Sequence, residues 1–486
     1  MTQGALADLL SEWLPAQRWF AGSGSRVRQI EITSDVQLAA GDPELRHLMV
    51  DVLVGQERVS YQLLTGLRAE LPPALAGASI GAMPDGRIAY DGAADPELTA
   101  VLLRGIVAQR SVGPLRFGTE PGAIVDGTAP GRTLPALASN TSVVFGEAAI
   151  LKLLRRPFAG HHPDLEVPSA LARNGSKLVA APLGWIEMPP IGQPAPAQAS
   201  DAAPVVLAIL SVFFPRSSDG WSLATASLRS AHQHGAGQHS AGQHGAGQHS
   251  VGGQHSVGQH GPIPDFSAEA RLLGEATARL HTELAGAFGT SALSRFALTD
   301  LIDTMATELS QATGVVPQLR EHEAAIRACY APLAEPGTEV AVQRIHGDYH
   351  LAQVLSTDGG WIVLDFEGEP SVPLARRRAF APALRDVAGM LRSFDYAARH
   401  EALRHPDDKR LAEVASAWVS RCQDAFCSGY AQIMGSDPRT GGQLRSRSPL
   451  LRALILSKAV YEAVYEARHR PDWLPIPLAA IAEASR

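Results

Sequence analysis

The spacing of hydrophobic and polar positions changes once along the chain, near residue 215. Apolar positions from Ala5 to Trp13 recur at helical spacing, and stretches such as VRQIEITSDVQL and LRHLMVDVLVG then alternate. Val27, Ile30, Ile32 and Val36 approximate the period of two of half-buried strands, which predicts β-hairpins in residues 1–95. Short strands and turn-rich loops continue through TSVVFG, AAILKLL and VVLAILSVFF. From 268 the period becomes helical: Leu272, Leu273, Ala276 and Leu280 share one face, as do Val387, Met390, Leu391 and Phe394. Two strand-like pieces, VAVQRI and GWIVLDF, interrupt the helices near 340–366. This pattern predicts an α+β, two-lobed molecule. A compact α+β unit occupies 1–98, a β-rich lobe 99–215, and a mainly helical lobe 216–486.

The most apolar run, VVLAILSVFF, has ten residues, too few for the roughly 18–20 that span a bilayer. The N-terminus lacks the basic and apolar regions of a secretory signal, so a soluble, cytoplasmic protein without a membrane partner is expected. Lys and Arg number 42 against 49 Asp and Glu, a net charge of −7 that gives no footprint for nucleic acid. Cys329, Cys422 and Cys427 are odd in number and lack metal-finger spacing, which fits a reducing compartment. Seven of the 17 histidines fall in 231–261, where Gly-Gln-His recurs five times, ending at His239, His244, His249, His255 and His260. That tract has no charged residue and almost no large apolar one, so it reads as a disordered insertion. Spaced imidazoles can chelate zinc or nickel, but a flexible tract fixes no geometry, and an inert surface loop is the reading.

The sharpest chemistry lies in Arg344-Ile-His-Gly-Asp-Tyr-His-Leu-Ala-Gln353, followed by Trp361-Ile-Val-Leu-Asp365-Phe-Glu-Gly-Glu-Pro370. An aspartate, an amide five residues on, and a second aspartate after a short strand are what phosphoryl transfer needs. Asp348 accepts the hydrogen bond of the attacking hydroxyl; Gln353 and Asp365 hold Mg²⁺ on the nucleotide phosphates. Oxygen ligands suit that hard ion. A Walker-type phosphate loop is absent.

His346-Gly347-Asp348 with Asp365 resembles the catalytic core of the aminoglycoside-phosphotransferase and choline-kinase class. The strings IHGDYHLAQVL, LDFEGEP, RDVAGMLRSFDYAA and KAVYEAVYEARHRPDWLPIPLAAI resemble bacterial maltokinases, as do WLPAQRWFAG, SNTSVVFG and DLEVPSAL. The resemblance spans roughly 10–480 apart from the Gly-Gln-His tract. It implies a bilobal kinase-like fold with an N-terminal cap. It also implies transfer of the ATP γ-phosphate to C1 of maltose, and maltose 1-phosphate for α-glucan synthesis. Association with trehalose synthase is a further implication, and a monomer is expected.

On the nucleotide side, Lys152 in AAILKLL would pair with phosphates and be pinned by Glu166 on the following helix. Ser139, Asn140, Thr141 and Ser142 lie where kinases place a phosphate-covering hairpin, whose backbone N–H groups face phosphate. Ser211 and Phe213 fall in a hinge near 210–215 that would receive adenine; the resemblance is weaker there, where such sequences carry Gln-Glu in place of Ser211-Val212. On the acceptor side, Lys458, Tyr461 and Tyr465 share one helix face, which suits a neutral sugar. Glu466, Arg468 and Trp473 are weaker candidates, with Arg468 able to support the fold through Glu466. His350 would reach the acceptor or orient Asp348, and His346 supports the loop. Arg385-Asp386 resembles a structural ion pair below it; Glu367 and Glu369 would touch metal or sugar, without a choice between them. A related kinase acting on glucosamine or an aminoglycoside is the alternative. A catalytically dead binding module would have lost Lys152, Asp348 or Asp365, and all three are present.

Overall fold

A computed structural model describes residues 2–20, 27–135, 140–190, 204–237, 265–369, 372–435, 444 and 448–485. The chain divides into two compact units, Met1–Ala172 with Ala180–Pro215, and Arg173–Val179 with Arg216–Arg486.

The first unit begins with helix α1 (Thr2–Trp13) and an antiparallel sheet of β1 (Val27–Ala39), β2 (Glu44–Val54), β3 (Glu57–Arg68), β4 (Ser79–Ala82) and β5 (Ile88–Asp91), in the order β1-β2-β3-β5-β4. Leu6, Leu10, Leu14 and Trp19 pack onto Leu48, Val50, Val52 and Tyr61. The alternation in β1 is only approximate because its register slips three times against β2, between Val27 and Gln29, Ile32 and Ser34, and Gln37 and Ala39. Each slip moves the following side chains to the other face.

Helix α2 (Pro96–Val107) starts where the Asp95 carboxylate accepts the Glu97 N–H. It leads into β6 (Ser111–Val112), β7 (Leu115–Thr119), β8 (Gly131–Thr133), β9 (Thr141–Phe145) and β10 (Ala149–Leu153). After α3 (Pro163–Arg173) come β11 (Pro182–Met188) and β12 (Val205–Val212), completing a seven-stranded sheet ordered β6-β7-β11-β12-β10-β9-β8. Val205 to Leu210 are all buried, so the apolar run is a strand covered on both faces. Among the described residues no helix is long and apolar enough to cross a membrane.

The second unit holds β13 (Ser218–Asp219), α4 (Gly220–Gly237), α5 (Ser267–Phe288), β14 (Thr290–Ala292), α6 (Arg295–Val315) and α7 (Glu323–Tyr330). It continues with β15 (Ala341–Gln343), β16 (Val354–Thr357), β17 (Gly360–Val363), α8 (Leu374–Arg377), α9 (Leu384–Leu403) and α10 (Lys409–Ile433), and ends with α11 (Pro449–His469) and α12 (Pro475–Ala484). Val387, Met390, Leu391 and Phe394 are buried on α9 as their spacing predicts, whereas in α5 Leu272 is exposed and only Leu273, Ala276 and Leu280 are buried.

The insertion starts later than its composition suggests. Helix α4 runs to Gly237, and His232 Nε2 lies 3.0 Å from Asp408 Oδ2, at the N-cap of α10. Composition alone places the boundary at 231 because it cannot register that long-range partner. Residues 238–261 of the tract lie outside the described residues.

Helices α5 and α10 approach closely through Gly274 and Gly429: a Cβ on Gly274 would collide with the Phe426 carbonyl, and one on Gly429 with that of Arg271. The obstruction is backbone and cannot rotate away. Gly429→Ala is therefore expected to lower unfolding free energy by about 2 kcal/mol or more, read as a lower midpoint in thermal melts.

Candidate active site

The loop after β15 is held by one buried carboxylate. Asp386, in the first turn of α9, accepts the His346 N–H at Oδ2 (2.8 Å) and the Gly347 N–H at Oδ1 (2.9 Å). Its Oδ2 also lies 3.1 Å from His281 Nε2 on α5, and His281 Nδ1 is 3.0 Å from the Tyr430 hydroxyl on α10. Burial by itself would raise the Asp386 pKa. The hydrogen bond and charge of His281 and the Gly347 N–H outweigh it, holding the carboxyl below its ordinary value. The expected pairing with Arg385 does not form: Asp386 is buried among these donors, while Arg385 is exposed. Neighbouring residues on a helix point in different directions.

His346 Nε2 lies 2.7 Å from the Leu364 carbonyl and so carries the proton, leaving Nδ1 to accept the Asp348 N–H at 3.3 Å. Asp348 itself stays partly accessible. Its Oδ2 is 3.8 Å from His350 Nε2 and its Oδ1 is 3.7 Å from Lys458 Nζ. Burial pulls the His350 imidazole below its ordinary pKa, which favours a neutral ring at neutral pH.

Gln353 and Asp365 meet across the β16–β17 hairpin, the Gln353 side-chain amide donating to Asp365 Oδ2 at 3.1 Å. Asp365 adopts φ 62°, a left-handed conformation that aspartate tolerates better than most residues. Asp365 and Glu367 bring carboxylate oxygens within 4.8 Å of each other. An amide and two carboxylates form an all-oxygen donor set suited to Mg²⁺. Of the two acids left open by the sequence, Glu367 lies near Asp365, whereas Glu369 is engaged elsewhere.

Glu369 receives Lys458 Nζ at Oε2 and the Tyr461 hydroxyl at Oε1, both at 2.8 Å. Burial would raise its pKa, but the Lys458 charge and these two hydrogen bonds hold it below its usual value. The same charges keep Lys458 protonated, with Glu369 and Asp348 outweighing burial and pushing its pKa up. Tyr461 stacks toward Tyr465, whose ring lies 4.5 Å from that of His469. Glu466, expected to face substrate, is buried with both oxygens engaged: Arg470 bonds them at 2.9 and 2.7 Å and the Tyr396 hydroxyl at 3.1 Å. Its partner is thus Arg470, one helical turn on, and not Arg468. Glu462 is likewise paired with Arg392 at 2.7 Å. A cavity of about 840 Å³ opens beside Asp348 and His350, walled by Lys458, Tyr461, Tyr465 and Trp473.

In the first unit, Lys152 on β10 stands opposite Ser142 on β9 and Ile209 on β12, and Ile150 stands opposite Ser211. Ser142, Lys152 and Ser211 therefore share one sheet face. Lys152 Nζ lies 2.8 Å from Asp164 Oδ2 in the first turn of α3, the same turn that carries Glu166. Sequence reasoning misses Asp164 because DLEVPSAL draws attention to its second acid. The polar run expected in a hairpin leads into the antiparallel β9–β10 pair. Thr141 and Ser142 open β9, the Ser142 carbonyl accepts the Leu134 N–H, and the Thr141 hydroxyl accepts from Arg155. Asn140 precedes the strand, and Ser139 lies outside the described residues. At the hinge, the Phe213 N–H donates to the Ala148 carbonyl (2.9 Å), extending the β10–β12 ladder by one rung and leaving its carbonyl as the main-chain group for adenine.

Residues 13–95 match the maltokinase N-terminal cap domain, and residues 252–404 match the phosphotransferase enzyme family. The glucosamine kinase of Streptacidiphilus jiangxiensis is 29% identical over 402 residues, 80% of each chain. That of Mycolicibacterium smegmatis is 28% identical over 351 residues, 71% of this chain and 76% of the relative. Among solved structures, a glucosamine kinase in complex with glucosamine, ADP and inorganic phosphate aligns over 98% of both chains, with a TM-score of 0.64 at 21% identity. The fold is the kinase-like architecture of the phosphotransferase enzyme family, carrying an N-terminal cap. More particularly, a match to the maltokinase cap precedes the match to the phosphotransferase family, so the chain is similar to maltokinases in its N-terminal region. The phosphotransferase match includes Asp348, Gln353, Asp365 and Asp386 but ends before α11, where the acceptor wall lies.

Proposed function

We propose that this protein transfers the γ-phosphoryl group of ATP to the anomeric hydroxyl of maltose. One observation carries the reading: a partly exposed carboxylate, Asp348, stands beside a large cavity whose other acids each already have a cation. Glu369 pairs with Lys458, Glu462 with Arg392 and Glu466 with Arg470. An aminosugar brings an ammonium that needs an uncompensated carboxylate, whereas a neutral disaccharide needs hydroxyl partners and ring faces. Tyr461, Tyr465 and Trp473 offer such faces in a cavity of about 840 Å³, within the roughly 300–1,000 Å³ of small-molecule sites.

Asp348 accepts the hydrogen bond of the anomeric hydroxyl, orients its oxygen toward the γ-phosphorus and takes its proton as the new P–O bond forms and the bond from the γ-phosphorus to the bridging oxygen breaks, releasing ADP. Lys458 limits the charge that accumulates around Asp348, and Glu369 and Tyr461 hold Lys458 in place. Lys152, with its sheet face and with Asp164 and Glu166, is the proposed grip on the nucleotide phosphates, and Ser211 lines the base side. Gln353, Asp365 and Glu367 would hold Mg²⁺, which when bound neutralises phosphate charge. Phosphoryl-transfer transition states are loose, so positioning and charge supply most of the rate.

Glucosamine is the second reading, favoured by the names of the curated relatives. The test is a panel of maltose, glucosamine and an aminoglycoside with ATP and Mg²⁺, scored by phosphosugar formation. Maltose is expected to exceed glucosamine in kcat/KM by at least about tenfold, the scale of one well-placed hydrogen bond or of one charge left unpaired. A preference for glucosamine would overturn the maltose assignment and leave the kinase chemistry standing.

A further inference from the structure

The cavity beside Asp348 is a groove between two helices. Gly389, Ser393, Tyr396 and His400 line it from α9, and Lys458 and His469 bound its span on α11. The α9 positions share one face and extend about 16 Å along it, or about three helical turns. Asp348 marks one end. Lys458 Nζ lies 3.7 Å from its Oδ1, and Gly389 packs so closely on the Tyr349 carbonyl that a Cβ there would collide with it. From that end the helices run side by side. Glu462 pairs with Arg392 and Glu466 with Tyr396, and the ring of Trp473, just beyond α11, lies 4.5 Å from that of His400. The far end is an aromatic corner, because the His400 ring also lies 6.0 Å from that of Trp221 on α4. Burial pulls the His400 imidazole below its ordinary pKa, which favours a neutral ring able to donate and to accept a hydrogen bond. Arg468 lines the same end, and among the described residues no carboxylate pairs with it.

Aromatic faces, a neutral imidazole and a guanidinium without a counter-ion are partners for a hydroxyl-rich ring. In an α-1,4-linked glucan each pyranose joins the next through C4, across the ring from C1. With the reducing-end C1 hydroxyl at Asp348, the chain must grow away from it, along α9 and α11. One ring advances the chain by roughly one helical pitch, so the groove takes a further ring beyond the two of maltose. We propose that Trp221, His400 and Trp473 form a subsite for a third glucose ring, which makes maltotriose an acceptor alongside maltose. The proposal rests on the maltose reading of the site. The chemistry is the same: the reducing-end C1 oxygen bonds to the γ-phosphorus, its proton passes to Asp348, and the bond to the bridging oxygen breaks to release ADP.

The test measures binding of maltose and maltotriose to the Mg-ADP complex by calorimetry, and kcat/KM for both sugars with ATP, in the full chain and two variants. Wild type is expected to bind maltotriose about fivefold more tightly than maltose, the scale of one added ring–aromatic contact, and to form maltotriose 1-phosphate. His400→Ala and Trp221→Ala are expected to bring maltotriose to the affinity of maltose, with maltose itself within about twofold of wild type. Should one variant fail to fold, the other and the wild-type ratio still decide the matter. Wild-type protein that phosphorylates glucosamine in preference to maltose would overturn the maltose reading and this subsite with it. Wild-type protein that prefers maltose to glucosamine but binds maltotriose no more tightly than maltose would overturn the subsite alone. So would variants that weaken both sugars alike.

Discussion

Asp348→Asn is expected to lower kcat by about 10³-fold while Mg-ADP affinity stays within about twofold of wild type, as removal of a positioned general base does. The substitution is isosteric, so the partly exposed side chain and the loop backbone are retained. The Asp348 N–H still donates to His346, and the Asp386 anchor is untouched. What is lost is the negative charge that accepts the hydroxyl proton, and the attraction to Lys458, 3.7 Å away. Quench-flow phosphosugar formation and ADP titration on the same preparation separate chemistry from binding. Turnover near normal would remove Asp348 from the reaction.

Asp386→Ala is expected to be the most damaging substitution outside the reacting groups. It strands the His346 and Gly347 N–H groups and His281 Nε2, all in a buried setting. Breaking a buried, hydrogen-bonded charge pair costs about 3–5 kcal/mol, so the unfolding midpoint should fall and kcat with it. Asp386→Asn retains an acceptor for one backbone donor and should fall between the two. The depressed pKa adds a pH signature. The stabilisation is full above the ordinary aspartate value and is lost as pH falls through the lower folded value. Acid melts of wild type and Asp386→Asn should therefore converge as pH drops below about 4. Equal kcat and equal midpoints in Asp386→Ala and wild type would show that the loop is organised without this carboxylate.

The candidate reacting set is legible in the chain because it is nearly contiguous. His346, Asp348, Gln353 and Asp365 lie on one loop and one hairpin, so sequence spacing translates directly into spatial proximity. The strand lysine is legible for the same reason, since the β9–β10 pair is local. The pairing of Arg385 with Asp386 fails because sequence adjacency is a poor guide on a helix.

Periodicity and local spacing by themselves determined a β-rich part followed by a helical part, and a loop built for phosphoryl transfer. Both depend on neighbours a few residues apart, whose geometry secondary structure already dictates. Tertiary structure alone decided which charges compensate one another. His281 meets Asp386 across 105 residues, Lys458 meets Glu369 across 89, and Arg392 meets Glu462 across 70. A hydrophobic stripe tells which face of a helix turns inward; it does not tell which other helix that face meets, or in what register. The pairing of Lys458 with Glu369 beside Asp348 is a product of that packing.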